Sequence, residues 1–299
     1  MKKCMSLMLA STLTIGAIYG TAPANVMAAE HNKSSAVKDI NDTIVKMIKS
    51  DQGWGQFYEK HTLNDFDVKA SNILSSIIED TEVLKVHDSY LTNNTPLEQT
   101  MSSAAYEHEF TETTSTTNTT GWTFGYEYNV GASIWVVSAS HTFKVDYNMS
   151  TDKTTETSVS RKLIAPSQNI IVPAGKTYKL NYVFEKVTIS GKNNIIADVY
   201  GKVYYRNVPG LAHSLGQTWA WASDKQGLKL VYRDGQQNPD PALNSGVEVE
   251  GIGEFRTDFG TKLYVEVEDI TNPNKPVLVE TREIPVEFKS ISEDTRVVE

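Results

Sequence analysis

The sequence predicts a mostly β protein built from long antiparallel strands, and three observations carry that prediction. Beyond about Thr95, apolar residues alternate with polar ones over long stretches. Turn signals punctuate those stretches, at Pro173-Ala-Gly175, Ser190-Gly191-Lys-Asn-Asn194, Asp234-Gly235, Asn244-Ser-Gly246 and Asn272-Pro-Asn-Lys-Pro276. Helical spacing is confined to the region from about Ser34 to Tyr90, so strands dominate.

The elements follow in order. Residues 1–28 read as a secretory signal: Lys2 and Lys3 form a basic head, Leu7 to Ile18 an apolar stretch, and Val26-Met27-Ala28 a small-residue cleavage site. Cys4 lies ahead of the apolar stretch and leaves with the signal, so the secreted chain is expected to have no cysteine and no disulfide. The full chain carries a net charge of −9 over 299 residues, which argues against a nucleic-acid partner. No apolar run reaches the roughly 18 residues of a membrane-spanning helix.

Val37, Ile40, Ile44, Met47 and Ile48 fall on one face of a helix, with Ser34 or Ser35 as its candidate cap. Asp51-Gln52-Gly53-Trp54-Gly55 ends it. A second, weaker helical pattern runs through Phe66, Ile73, Leu74, Ile77 and Ile78. Strands then follow, with alternation at Val183, Val187 and Ile189, at Val199, Val203 and Tyr205, and at Leu263, Val265 and Val267.

Two Ser/Thr tracts, Thr111 to Thr120 and Ser150 to Ser160, bracket one unusual segment. Singly, each reads as a linker; framing an alternating segment, they read as strands, which Thr favours. Between them, the apolar positions of Gly121 to Ile134 are even: Trp122, Phe124, Tyr126, Tyr128, Val130, Ala132 and Ile134. From Val137 to Met149 they are odd: Val137, Ala139, Phe143, Val145, Tyr147 and Met149, interrupted by His141.

A parity switch is what a hairpin requires. If facing residues have numbers that sum to 271, the turn falls at Trp135-Val136 and one face is continuously apolar. The other face carries Thr123, Glu127, Asn129, Thr142, Lys144 and Asp146, with Glu127 opposite Lys144. Each arm exceeds the about 9–11 residues a strand needs to cross a bilayer. Only a closed barrel satisfies strand backbones in lipid, so several chains would each supply one hairpin. The apolar tip Ile134-Trp-Val-Val137 suits passage through lipid rather than ordinary turn chemistry.

At these residues the chain resembles the aerolysin-like β-pore-forming toxins, in the branch of clostridial epsilon toxin and the bacillus mosquitocidal toxins. Ser167-Gln-Asn-Ile-Ile-Val-Pro-Ala174 is similar to the family's motif for the strand after the insertion region. Tyr178 to Val203 and Leu243 to Phe288 also follow the family pattern, the latter with Gly251, Gly253, Gly260, Leu263 and Ile284-Pro285-Val286. The resemblance covers roughly Thr95 to Phe288.

It implies an elongated protein with a small helix-containing N-terminal head, a long-strand central domain and a C-terminal β-sandwich. The divisions are 29–95 with 206–242 for the head, 96–205 for the centre with its hairpin 121–149, and 243–299 for the sandwich strands and a short tail. It further implies a secreted, soluble protoxin that binds a surface receptor (protein or glycan), assembles as a homo-oligomer, commonly a heptamer, and inserts its hairpins into the target-cell membrane. Insecticidal activity follows from the mosquitocidal branch.

Trp122, Phe124, Tyr126, Tyr128, Val130, Ile134, Trp135, Val137, Phe143, Val145 and Tyr147 would then face lipid, and the polar face would line the lumen. Asp at Tyr128 or Val145 is expected to spare the soluble fold and abolish permeabilisation. The head's aromatics Trp54, Phe57, Tyr58, Trp219, Trp221 and Tyr232 are receptor candidates, or the head's own core. Lys33, Lys38, Lys289 and Arg296 are candidate sites of proteolytic activation.

No enzyme signature accompanies these features: neither a zinc-type histidine spacing, nor a nucleophile elbow, nor a phosphate-binding loop. A non-enzyme without cofactor or metal is expected. The competing reading is a secreted carbohydrate-binding β-sandwich that never inserts, which leaves the parity-switched hairpin without a purpose.

Overall fold

The computed structural model describes residues 36–138, 141–233, 245–285 and 287–298, all within one unit, Ser35–Glu299. The expected signal over 1–28, Lys33 and the Asp234-Gly235 turn lie outside the described residues. In chain order the elements are β1 (Ala36–Asp39), α1 (Ile40–Lys49), β2 (Tyr58–Thr92), β3 (Gln99–Ser102), β4 (Tyr106–Thr123), β5 (Gly131–Ser138), β6 (His141–Asn148) and β7 (Thr154–Ala165). There follow β8 (Asn169–Val172), β9 (Thr177–Tyr205), β10 (Ala212–Ser214), α2 (Leu215–Trp221), β11 (Lys229–Tyr232), β12 (Ser245–Asp269), β13 (Val277–Ile284) and β14 (Glu287–Val298). The mostly β, antiparallel prediction holds.

One ten-stranded sheet runs in the order β10-β9-β12-β4-β7-β14, with β2 on β9, β11 and β13 on β12, and β1 on β4. β3 with β8, and β5 with β6, form two separate pairs. The long strands β9 and β12 pair from Val199–Val247 to Tyr178–Asp269, and burial alternates along both as the period of two demands. Along β12, residues 252–258 pair with β4, whereas Leu263–Asp269 pair with β13. Tyr106 to Glu112 of β4 stay with β7. The two groups of strands enclose one core, with Leu163 and Ala165 from β7 against Leu180, Tyr182, Phe184, Leu263, Val265 and Val267.

The second core lies at the other end of the long strands. Ile40, Ile44, Met47 and Ile48 of α1 are fully buried there, joined by Ile195, Val199, Val203, Tyr205, Val247 and Phe255. The helix is shorter than its spacing predicts. Val37 belongs to β1, and the cap is Asp39, whose carboxylate accepts the Asp42 amide at 3.0 Å, rather than Ser34 or Ser35.

Three other expectations are overturned. The second helix is β2, a single 35-residue strand. Register shifts at Ser71/Ile73, Ile73/Ser75 and Ile78/Asp80 mark bulges. Each bulge inverts the period of two, so Ile73, Leu74, Ile77 and Ile78 mimic helical spacing although all four are exposed. The turn expected at Ser190 to Asn194 is continuous β9. Its glycine is there for close approach, since a Cβ on Gly191 would meet the Phe255 ring and the Ser75 carbonyl. Ser245 and Gly246 open β12 rather than form a turn. The turns at Pro173–Gly175 and over 271–275 are present; Lys176 N–H closes the first on the Pro173 carbonyl at 3.2 Å.

The tail is also more than a tail. Glu287–Val298 pairs along β7 from Glu287–Ile164 to Val298–Thr154, so Lys289 and Arg296 sit in an edge strand. Arg296 Nη2 lies 2.5 Å from Glu156 Oε1 of β7.

Candidate functional site

Both Ser/Thr tracts are strands, and they pair with each other. Tyr106 faces Ala165, Thr111 faces Ser160 and Thr116 faces Thr155, so every pair in the β4·β7 ladder sums to 271. That is the sum deduced for the hairpin from its parity switch. Thr117 and Thr154 carry the register one step further, with hydroxyl oxygens 2.8 Å apart.

The folded hairpin does not keep this register. β5 and β6 pair as Gly131–Asn148, Ile134–Val145 and Val137–Thr142, and these pairs sum to 279. Trp135-Val136, expected at the turn, lies inside β5; residues 139–140, between β5 and β6, lie outside the described residues. The offset of eight is even, so most residues keep their face. Ala132, Val136, Val145 and Tyr147 are buried, with Ile134 and Phe143 packed beside them.

Trp135 and Val137 keep the wrong one. They stand on the outer face at 64% and 68% exposure, beside Thr142 and Lys144. A crevice of about 470 Å³ separates that face from Glu112, Thr114, Thr157 and Arg161 of the Ser/Thr strands.

The expected first arm, Gly121 to Ile134, is not one strand, and only its last four residues lie in β5. Trp122 and Thr123 end β4, Phe124 is fully buried, and a turn over 126–128 leaves Tyr126 67% exposed. The predicted Glu127–Lys144 pair is absent. Asn41 Nδ2 donates to Glu127 Oε1 at 3.5 Å, and Lys144 instead lies 2.7 Å from Asp146 Oδ1 on its own strand. Asn129, a lumen candidate, adopts a left-handed φ of 45° within the bend.

The seat beneath the hairpin combines apolar packing with a few polar contacts. The Phe143 ring lies 5.1 Å from that of Phe259 and 6.1 Å from that of Phe255. Tyr147 Oη donates to Asn193 Oδ1 at 2.8 Å. Asn118 Nδ2 donates to the Asn148 and Thr151 carbonyls, both at 2.7 Å, and Thr116 Oγ1 to the Asp146 carbonyl at 3.1 Å. Gly253 permits this approach, because a Cβ there would run into the Tyr147 ring and lie 2.7 Å from Ile195 Cδ1.

Sequence reasoning missed Asn118, Asn193, Thr116 and Gly253. Asn193 reads as a turn residue and Asn118 as part of a Ser/Thr strand, and the role of each depends on what packs over it. At ~1.5–3 kcal/mol for each fully buried apolar side chain, Phe124, Val136, Val145 and Tyr147 alone hold the hairpin by on the order of 10 kcal/mol before conformational entropy. Against that, the buried Asn118 Oδ1, Asn193 Nδ2, Ser150 Oγ and Thr155 Oγ1 have no hydrogen-bond partner. Each such group costs ~1–3 kcal/mol until water reaches it, which lowers the cost of lifting the hairpin.

The head aromatics divide. Trp54 stacks on Trp221 with centroids 6.3 Å apart and meets Tyr205 edge-on at 5.5 Å. Phe57, Tyr58 and Trp219 pack against the core, with Trp219 Nε1 donating to the Leu228 carbonyl at 2.8 Å and Lys225 4.4 Å above its ring. Tyr232 ends β11 and is half-buried. Trp221 is exposed, whereas Trp54 is half-buried. Among the described residues, no group of three or more His, Cys, Asp or Glu is placed to hold a metal ion.

Comparison with known proteins follows the same lines. The family model for Clostridium epsilon toxin ETX/Bacillus mosquitocidal toxin MTX2 matches residues 56–277. The Mpp75Aa1.1 β-pore-forming protein from Brevibacillus laterosporus shares the fold, with a TM-score of 0.65 at 18% identity over 87% of this chain and 99% of that one. A non-toxic crystal protein from Bacillus thuringiensis matches at a TM-score of 0.46 and 12% identity over 77% of this chain and 96% of that one. An aerolysin-like protein of Bombina maxima matches at 0.31 and 11% identity, over 67% and 98%. Neither of these two carries weight in the argument. No curated protein sequence matches. With the family model spanning most of its length, and with the long antiparallel strands and the hairpin between Ser/Thr tracts, the chain belongs to the epsilon toxin ETX/mosquitocidal toxin MTX2 family of aerolysin-like pore-forming toxins.

Proposed function

We propose that the protein forms pores by re-registering its hairpin onto the β4·β7 ladder and inserting it, one hairpin per chain, into a shared transmembrane barrel. The observation that carries this reading is the pair of sums. The ladder runs at 271, and its continuation past Thr117–Thr154 is the parity-derived hairpin, closing at Trp135-Val136. In that continuation Val137 moves to the second arm, onto the apolar face, and Trp135 becomes the tip. Their present exposure is accounted for by the inserted state.

The apolar face then trades the protein core for lipid, and Thr123, Glu127, Asn129, Thr142, Lys144 and Asp146 line the lumen. Backbone groups of such strands are satisfied only in a closed barrel, so assembly into a ring, expected as a heptamer, is part of the same reading. Secretion as a soluble protoxin fits the signal over 1–28. The head, 29–95 with 206–242, contacts the receptor, with the exposed Trp221 foremost. Domains 96–205 and 243–299 supply the ladder and the sandwich.

A disulfide tests this. Ser133 Oγ donates to Asp146 Oδ1 across the 279 register, so Ser133→Cys/Asp146→Cys can lock the folded hairpin. In a planar bilayer the oxidised variant is expected to give no conductance steps and the reduced variant steps of uniform size. Equal current in both states would refute insertion by re-registration.

A further inference from the structure

The segment that ends α1 leaves one buried charge unanswered. Asp51 follows the helix at its C-terminus and is only 8% exposed. One of its oxygens is committed, because Oδ1 accepts the Gly53 amide at 2.8 Å. The Asp51 carbonyl accepts the Gly55 amide at 3.0 Å, so the loop fixes the residue on both sides of its Cα. The second oxygen, Oδ2, is buried and has no hydrogen-bond partner. It also sits at the negative end of the α1 dipole, where an anion is least favoured. Such an oxygen calls for a donor, and a cationic donor above all.

Asp51 lines a cavity of about 480 Å³. Around this buried group stand the exposed Lys49, Gln52, Gln56 and Arg206, with half-buried Tyr58 in the wall. Tyr58 Oη is taken by His61 Nδ1 at 2.8 Å, so the wall offers its ring rather than its hydroxyl. Arg206 is anchored through its backbone, whose amide donates to the Phe57 carbonyl at 2.9 Å, and through Nη2, which donates to the Gln56 carbonyl at 3.4 Å. The cavity thus has an anion at depth and two cations at its rim. A simple cation would meet Lys49 and Arg206 on the way in, and a simple anion would meet Asp51. A molecule that carries both charges meets neither obstacle.

We infer that this cavity binds a primary ammonium joined by a short linker to a phosphate, the chemistry of phosphoethanolamine. The ammonium donates to Asp51 Oδ2. The phosphate lies between Lys49 and Arg206, whose donors suit an anion with several free oxygens. The bound molecule ties the end of α1 to the end of β9, two segments far apart in sequence. The same group occurs free in solution and as a phospholipid headgroup, and the site recognises the chemistry common to both. None of this depends on pore formation.

Isothermal titration of the full chain tests the assignment, with O-phosphoethanolamine, O-phosphocholine and inorganic phosphate as probes. Phosphoethanolamine is expected to bind at least tenfold more tightly than phosphocholine, whose quaternary nitrogen has no N–H to give Asp51. Asp51→Asn keeps an acceptor for Gly53 and is expected to lower phosphoethanolamine affinity about tenfold, with inorganic phosphate unaffected. Lys49→Gln/Arg206→Gln, which alters exposed side chains only, should weaken both probes. Absence of binding at millimolar concentration, equal affinity for phosphoethanolamine and phosphocholine, or an affinity that Asp51→Asn leaves unchanged overturns the site. Cosedimentation with vesicles containing phosphatidylethanolamine, but not with phosphatidylcholine alone, assigns the ligand to a headgroup when Asp51→Asn abolishes it. Titration without vesicle capture assigns it to the free compound. Neither readout is a current, so silent bilayers leave the site standing and an empty site leaves the pore reading standing.

Discussion

The His61 ring is fully satisfied as a neutral imidazole, with Nε2 donating to Asn41 and Nδ1 2.8 Å from Tyr58 Oη. Burial holds its pKa below the ordinary 6.5, partly opposed by the Asp39 carboxylate. A histidine whose folded pKa is depressed gives its full stabilisation above its unfolded pKa. That stabilisation drains away as pH falls through about 6.5 toward the lower folded value. Because His61 positions Asn41, acidification loosens the Asn41 contacts with Glu127 and Tyr128. Thermal midpoints of wild type and His61→Gln are therefore expected to converge between pH 7.5 and 5.5, with the wild type losing its advantage on the acid side. A gap that is constant or widens with acid would show that the ring does not titrate in this way.

At the scale of the element, the hairpin face assigned to lipid in the proposed inserted state is the one buried in the folded chain, which corrects an expectation drawn from its pattern. Val145 is fully buried against the sheet, so Val145→Asp would place a carboxylate in the core, at a cost of several kcal/mol, and cannot spare the soluble fold. Tyr128 also packs, its ring 5.1 Å from that of Phe66. Tyr126 is the clean probe. It is exposed now, yet it falls on the lipid face opposite Val145 in the 271 register. Tyr126→Arg is expected to unfold within a few degrees of wild type and to lose conductance several-fold or more, because an Arg on the lipid face of a barrel costs up to ~2–4 kcal/mol. Undiminished current would take Tyr126 off the lipid face.

For the whole molecule, the proposed assembly requires a free sheet edge on which a second chain can pair. β14 covers the outer edge of β7, the strand that carries half of the extended hairpin. An edge already paired cannot receive a second chain. Cleavage after Lys289 would remove most of β14, together with the Arg296–Glu156 pair, and bare Thr154 to Ser160. SDS-resistant oligomers on vesicles are thus expected to appear several-fold faster in protein cut at Lys289, and protease-treated Lys289→Gln to stay at the uncut rate. Identical oligomer yields from cut and intact chains would remove β14 from any role in assembly.

Alternation along the chain is enough for the β class, the two Ser/Thr strands and which hairpin residues share a face, whereas the register of 271 expected for the hairpin is that of the β4·β7 ladder and not of the folded hairpin. All of these depend on side-chain alternation, which is a local property of the chain. Tertiary structure alone decided that β2 is a bulged strand, that Gly191 and Asn193 lie within a strand, that the tail is β14 and that the hairpin is folded at 279. In each case the deciding contact joins residues far apart in sequence: Gly191 under Phe255, Asn193 under Tyr147, Trp122 against Thr43. A period of two is blind to an even slip, so the pattern specified which residues share a face. Only packing against α1 and the sheet could select between two registers that present the same face.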